Sequence, residues 1–301
     1  MKAVRIHRFG PPEVIVIDDV PLPSPGDGEV LVRVAAAGVG PWDAIIREGR
    51  SKVSPQPPLT LGSDLSGVIE AVGSSVTAFR VDDEVYGVTN PQFCGAQAEC
   101  AVASAGMIAP KPKNLSNLDA ASAPVIAVTA YQMLFEYAVA KPGDTVMITG
   151  AAGNVGAYAV QLALKAGVQV VAVARPGDDP VLHRLGAQII VDSSGTETLP
   201  EVEAVLDTVG GDTAERCVSA IRPGGKFVSV VSKPVPERPD IESIFFYAEV
   251  TTERLRVLSN LFEDGRISAR TGSILPLAQA RVAHEMLAGA SHKPGKIVLQ
   301  L

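Results

Sequence analysis

Three glycines spaced G-x-x-G-x-x-G, Gly150, Gly153 and Gly156, are the residues of this 301-residue chain whose placement points most directly to chemistry. Glycine accepts left-handed turns and lets backbone approach a ligand with no β-carbon between them. Placed between a strand and a helix, such a turn aims first-turn N–H groups and the helix dipole at an anion. The flanks are of that kind. Thr145 to Thr149 is a short β-branched and apolar run, and Ala157 to Lys165 (AYAVQLALK) is apolar on most of its circumference. Gly150 reads as the sharp turn, Gly153 as the point where a dinucleotide pyrophosphate meets backbone amides, and Gly156 as the contact that lets the helix pack close to the strand. The spacing is one residue off G-x-G-x-x-G, so its weight comes from the strand before it and the helix after it.

The surrounding elements would position that turn. Downstream, the pattern predicts strands over Gln169–Ala174, Gln188–Asp192, Val202–Asp207 and Lys226–Val231. Between them it predicts helices over Val181–Leu185, closed by Gly186, and Thr213–Ile221. Alternation of this kind marks a parallel sheet with helices on both faces. Asp119 to Ala140 is alanine-rich and helical, interrupted at Pro124, so the nucleotide-binding half runs from about 119 to 262. Before it, Glu29–Val39, residues 61–73 with a kink at Gly67, Asp83–Val88 and Ala96–Ala103 read as short strands of a compact, barrel-like β domain. Pro41 opens a short helix, Trp42–Glu48, with Asp43 in its first turn. Asp43 reads first as a carboxylate favoured at a helix N-terminus and second as a pocket residue. The terminal strand Pro294–Leu299 is expected to rejoin the first domain. The aromatic run Ile244–Val250 is read as an edge strand that pairs with the same strand of a second subunit, making a homodimer, or else is covered by the helix Thr252–Glu263.

Composition narrows the function classes. With 47% apolar residues and a mean hydropathy of +0.23 the chain builds a sizeable core. A net charge of -7, with no Lys/Arg block, argues against nucleic acid or an anionic membrane as partner. No stretch approaches a transmembrane span and Met1–Pro12 holds no apolar segment of signal-peptide length, so a soluble, cytoplasmic protein is expected. The three cysteines (Cys94, Cys100, Cys217) and four histidines (His7, His183, His284, His292) are scattered, which predicts neither a zinc site nor a structural disulfide.

Several stretches together carry a family resemblance: Ala37–Asp43 (AGVGPWD) with Arg47 and Gly49, Leu61–Glu70 (LGSDLSGVIE), Val128–Tyr131 (VTAY), the glycine turn, Leu206–Gly211 (LDTVGG), Arg222–Lys226 (RPGGK) and Gly295–Leu299 (GKIVL). The chain resembles zinc-independent medium-chain dehydrogenase/reductases of the quinone oxidoreductase type along essentially its whole length. The resemblance implies an α/β fold with a GroES-like, β-rich catalytic domain built from residues 1–118 and 263–301. An NADP-binding Rossmann domain with a doubly wound parallel sheet, residues 119–262, would be inserted between them, with the cofactor in the cleft. Zinc-dependent relatives carry a Cys near position 40 and a His-Glu pair near 63 and 64, where this chain has Gly40, Ser63 and Asp64, and their cysteine-rich structural zinc loop is missing. Carried over position by position, Thr129 is expected to touch the nicotinamide, Gly153, Asn154 and Val155 the pyrophosphate, and Val209 and Gly210 the ring side. Thr129 also has a competing role as a helix residue bonded to its own backbone.

The second Rossmann strand ends in Ala174-Arg175, where an acidic residue would bind the ribose 2′-hydroxyl of NAD. A charge-assisted bond from Arg175 to a 2′-phosphate contributes on the order of 1.5 to 3 kcal/mol, so NADPH is the expected cofactor. Asp178 and Asp179 stand against this assignment, as carboxylates placed either to reach the ribose instead or to repel the phosphate. Relatives often carry an asparagine at the place of Gly40 and tyrosines at those of Ile45 and Ser51, so the pocket around Gly40, Trp42 and Ile45 is expected to be apolar. Ser63, Asp64 and Tyr131 are the candidates for catalytic proton delivery, Tyr131 reading more readily as core. Hydride transfer to a quinone or similar electrophile is the leading reading. An NADPH-dependent enone or enoyl reductase and a non-catalytic NADPH-binding protein are the alternatives.

Overall fold

A computed structural model describes residues 1–231 and 238–301 and resolves two compact units, Met1–Val125 with Val250–Leu301, and Ile126–Glu249. Residues 119–125 and 250–262 therefore group with the chain ends, whereas the sequence divides at 118/119 and 262/263.

In the first unit, β1 (Lys2–Ile6) pairs antiparallel with β2 (Ile15–Asp19). The long strand β3 (Glu29–Val39) has an almost continuous apolar sequence because both its faces are covered. It runs into α1 (Pro41–Arg47), which starts on proline and ends before Gly49 at φ +73°. β4 (Leu59–Thr60) adds to β1. Then come β5 (Asp64–Val72), β6 (Glu84–Val88), β7 (Cys100–Ser104), β8 (Ile108–Pro110) and α2 (Asn117–Ala121). β3 passes close beneath β5 at Gly67, where a β-carbon would overlap the Arg33 carbonyl and the register shifts between Val34 and Ala36. The expected kink is therefore a bulge. The strand expected over Ala96–Ala103 begins only at Cys100.

α3 (Pro124–Tyr131) continues as a π-helical turn over Gln132–Tyr137. The second unit then alternates β9 (Thr145–Thr149), α4 (Asn154–Lys165), β10 (Gln169–Ala174), α5 (Asp179–Leu185), β11 (Ile189–Asp192), β12 (Val202–Asp207), α6 (Gly211–Val218), β13 (Ile221–Ser229) and β14 (Glu242–Phe245). Its strands are parallel in the order β11-β10-β9-β12-β13-β14, the doubly wound Rossmann arrangement. Two expectations shift here. Ile221 opens a strand instead of closing a helix, because Arg222-Pro223-Gly224-Gly225 is accommodated as an irregularity of β13 against β12. The aromatic edge strand lies earlier, ending at Phe245, so only its first two residues, Ile244 and Phe245, pair.

The chain returns to the first unit through α7 (Thr252–Glu263), β15 (Thr271–Pro276), α8 (Ala280–Leu287) and β16 (Lys296–Gln300). β16 lies between β15 and β3, closing a sheet of order β15-β16-β3-β5-β6-β8, with β7 also on β3. This is the GroES-like unit. α7 is pinned to it by Tyr86, fully buried on β6, whose hydroxyl donates to the Leu255 carbonyl at 2.7 Å and accepts from Ser259 Oγ at 3.0 Å. The three cysteines are free thiols. No helix among the described residues is long and apolar enough to cross a membrane.

Replacing Tyr86 by Phe removes the buried hydroxyl that donates to the Leu255 carbonyl and accepts from Ser259 Oγ. Urea denaturation of Tyr86→Phe is expected to show a loss of about 1 to 3 kcal/mol relative to the parent. An unchanged midpoint would mean that the Tyr86 hydroxyl adds nothing to the hold on α7.

Candidate functional site

In the second unit the chain runs outward from β9 through β10 to β11 and then returns to β12 on the other side of β9, so the strand order reverses between β9 and β12, and the C-terminal ends of these two strands form the switch point at which doubly wound sheets bind ligands. The sequence-predicted turn lies there. Gly150 follows β9 at φ +61°, and a β-carbon on it would come within 2.6 Å of Thr208 Oγ1 and 2.7 Å of Val209 Cγ2, in the loop after β12. A β-carbon on Gly156 would overlap the Gly150 carbonyl, so glycine is required for α4 to start so close to the strand. Gly153 is the exposed N-cap of α4, and no side chain caps that end. The first-turn N–H groups of Asn154, Val155 and Gly156 and the dipole of a 12-residue helix thus face outward, an arrangement that fits a pyrophosphate.

The two loops are locked by Asp207, a carboxylate with no exposed surface at the end of β12. Its Oδ1 accepts from Thr149 Oγ1 (2.7 Å) and from the N–H groups of Val209 (3.1 Å) and Gly210 (2.9 Å), and its Oδ2 accepts from Ser229 Oγ (2.7 Å). Thr149 Oγ1 in turn accepts from the Thr208 N–H at 2.9 Å. No charge in this set neutralises Asp207; oriented dipoles hold it. Val209, half exposed, presents an apolar side chain beside Gly210. Arg175, immediately after β10, is 85% exposed, with Asp178 at 3.7 Å from its Nε. Thr129 is buried on α3, and half-buried Tyr131 stacks obliquely on Phe135 with ring centroids 5.1 Å apart.

The first unit holds a second constellation. Asp64, the first residue of β5, and Lys296, the first of β16, form an ion pair of 2.8 Å with side chains only 2% and 3% exposed. The other Asp64 oxygen accepts from the Val125 N–H at 2.9 Å. Asp43, in the first turn of α1, accepts from the Gly40 N–H at 2.8 Å through Oδ2, while its Oδ1 is buried without a hydrogen-bond partner. Its helix N-terminal role and its place in a buried cluster thus coexist. Burial pushes the Asp43 carboxyl up to about 7, against the pull of Lys296 and the Gly40 N–H, with repulsion from Asp64 adding to the rise. Ser63 is buried, its carbonyl accepting from the Thr89 N–H. Trp42, half buried, meets Phe93 edge-on at 5.8 Å, and half-buried Ile45 follows on α1. Arg47 donates to Gly10 O and, at 2.9 Å, to His284 Nδ1. Burial and the Arg47 charge push that imidazole down to about 3, so it is a neutral framework group. Among the described residues no group of three or more His, Cys, Asp or Glu side chains could hold a metal ion.

Sequence reasoning brought Gly40 and Asp64 to this place but missed Lys296. A lysine opening an otherwise apolar strand (KIVLQ) was the available signal, since such a strand buries its first residue only if the charge has a partner.

A glycine turn at the switch point of a doubly wound sheet defines a dinucleotide-dependent class of proteins, and comparison with known proteins narrows it. Residues 26–132 match the alcohol dehydrogenase GroES-like domain, and residues 185–299 match the zinc-binding dehydrogenase domain. A quinone oxidoreductase of Lama guanicoe is 31% identical over 325 aligned positions covering 100% of this chain and 98% of that protein. A 2-methylene-furan-3-one reductase of Solanum lycopersicum is 31% identical over 280 positions, 89% of this chain and 70% of that protein. A mycobacterial protein solved in complex with NADPH superposes with a TM-score of 0.87 at 28% identity, covering 100% of both chains. The chain belongs to the medium-chain dehydrogenase/reductase family, among the quinone oxidoreductase-like proteins, and is a nicotinamide-dependent oxidoreductase.

The Asp43 carboxyl makes stability depend on pH with a definite sign. Its folded value lies above the ordinary 3.8, so below that pH both folded and unfolded states are protonated and burial of the carboxyl carries no ionic cost. As pH rises toward 7 only the unfolded state releases the proton, and the folded state loses stability relative to it. Asp43→Asn keeps the acceptor for the Gly40 N–H and removes the charge. Its denaturation midpoint, relative to the parent, is expected to rise between about pH 4 and 7 and then level off. A difference independent of pH would show that Asp43 is ionised throughout.

Proposed function

We propose that the chain is a zinc-independent, NADPH-dependent reductase that passes hydride to a quinone or a similarly electrophilic acceptor. The observation that carries this reading is Arg175, exposed at the end of β10 one strand from the uncapped N-terminus of α4, where an NAD-type enzyme would place an acid. In this reading the amides of Gly153, Asn154 and Val155 hold the pyrophosphate, with Gly150 and Gly156 shaping the turn. Arg175 binds the 2′-phosphate, with the Asp178 contact exchanged for it. Thr129, Val209 and Gly210 border the nicotinamide. Bound there, NADPH supplies the hydride, and the chain supplies orientation and charge stabilisation.

Gly40, Trp42 and Ile45 line the acceptor pocket in this proposal. With Gly40 and Ser63 standing where zinc-dependent relatives have Cys and His, no set of ligands polarises a carbonyl, which favours acceptors that are already electrophilic. Asp64 uses both oxygens as acceptors, so proton delivery falls to Ser63, Tyr131 or solvent. The tomato relative's activity favours, as the second reading, an activated alkene as acceptor. The same proposal makes the protein a homodimer through the outer edge of β14, the last strand of its sheet. Sedimentation showing only monomer at micromolar concentration would remove that part.

Steady-state oxidation of NADPH and NADH by the purified protein, with a chelator and a simple quinone present, is expected to give chelator-resistant turnover that prefers NADPH. Arg175→Ala is expected to weaken NADPH binding roughly 10- to 150-fold more than NADH binding. Equal losses would overturn the role of Arg175. Turnover of an enone but no quinone would move the assignment to the second reading, and tight NADPH binding without turnover of either would make the protein a non-catalytic binder.

A further inference from the structure

We infer that the Lys296 ammonium is the resident cation of the first unit, occupying the side-chain space of position 40 and neutralising Asp64, so that a covalently built-in charge stands where a bound metal ion would otherwise be held. The inference shares the zinc-free part of the reading above but concerns binding and not turnover.

Sheet register produces the arrangement. Ile297 pairs with Val39 and Val298 with Gly38 on one side of β3, and Leu65 pairs with Ala37 on the other. One further step along each register sets Lys296 opposite Gly40 and Asp64 opposite Gly38. Positions 38 and 40 share a face of β3, so the lysine side chain lies diagonally across the middle strand toward the aspartate on the far one. Only glycine permits this. A β-carbon at Gly40 would stand 2.7 Å from Lys296 Nζ. One at Gly38 would stand 3.0 Å from Lys296 Cε and 2.8 Å from Asp64 Cβ. A side chain at position 40 would therefore require this ammonium to leave its present place.

The charge balance supports the same reading. Removing two ions from water is costly, and an apolar pair of similar volume would serve stability as well or better. The chain nevertheless buries Lys296 and Asp64 almost completely and sets a third ionisable group, Asp43, with its partner-free Oδ1 where both are felt. One carboxylate in direct contact with the cation and a second near enough to feel it are the beginnings of an oxygen ligand set for a hard divalent ion, and the ammonium repels any such ion while it is there. Without it, Asp64 would be a buried carboxylate in need of a cation or a proton.

The test is cobalt(II) binding by the cofactor-free protein, followed by calorimetry and visible absorption. The parent is expected to take up none at this place. Lys296→Ala is expected to bind about one equivalent, roughly 100-fold or more tighter than the parent, and Lys296→Ala with Asp64→Asn to lose it. Should Lys296→Ala fail to fold alone, added cobalt(II) is expected to restore its circular dichroism. A folded Lys296→Ala that binds no cobalt(II), an unfolded one that cobalt(II) does not rescue, or a parent that binds one equivalent lost on Asp64→Asn would each overturn the inference. None of these readouts depends on reduction of a quinone or an enone, so a failure of the proposed activity and a failure of this inference are separable.

Discussion

Strands and loops at both candidate sites come closer together than a β-carbon permits, and the arrangement of polar groups depends on that constraint. At the end of β9, Gly150 lets the loop after β12 close in and Gly156 lets α4 begin against the turn. At the end of β3, Gly38 and Gly40 let a lysine from one neighbouring strand lie over the backbone to an aspartate on the other. A glycine in a strand interior costs backbone entropy and offers no side chain to pack. These glycines return that cost as geometry, because the polar groups beside them reach partners that a larger residue would have blocked.

Three buried carboxylates show three physical solutions to the same problem. Asp207 is surrounded by two hydroxyl and two N–H donors, Asp64 by an ammonium and one N–H, and Asp43 by a single N–H at one oxygen and nothing at the other. The Asp43 carboxyl, which has the fewest partners, is displaced to about 7, as expected when desolvation of a charge is not fully offset by specific hydrogen bonds or by an opposite charge. Asp207 is rigid in consequence, and its rigidity passes to Thr149, Val209 and Gly210.

Much of this was legible in the sequence. β9, β10, β12 and α7 fall on the residues the pattern indicates, because buried parallel strands are uninterrupted apolar runs between turn residues and α7 follows a Thr cap. β13 was misjudged at Ile221, where a Pro-Gly-Gly segment that normally breaks a strand is carried as an irregularity by its neighbour β12. The aromatic run after Glu242 was misplaced because aromatic content signals a strand without fixing its register. Lys296 escaped for another reason. Its partner is 232 residues away, and local periodicity carries no information about which distant strands become neighbours.

The pairing of Lys296 also bears on the chemistry proposed. A lysine free to turn toward an acceptor oxygen could polarise a carbonyl. Lys296 is instead almost fully buried and committed to Asp64, and turning it away would leave that buried carboxylate without its counter-charge. In the proposed reading, what the first unit would offer an acceptor is a fixed field and an apolar wall, not a mobile charge. A quinone or an activated alkene requires the least of such a site, since its own conjugation spreads the negative charge that arrives with the hydride. In the proposed reading Gly40, Lys296 and the acceptor class form one physical unit: glycine admits the ammonium, the ammonium would stand in the place of a ligand, and substrates that need no external Lewis acid would be favoured.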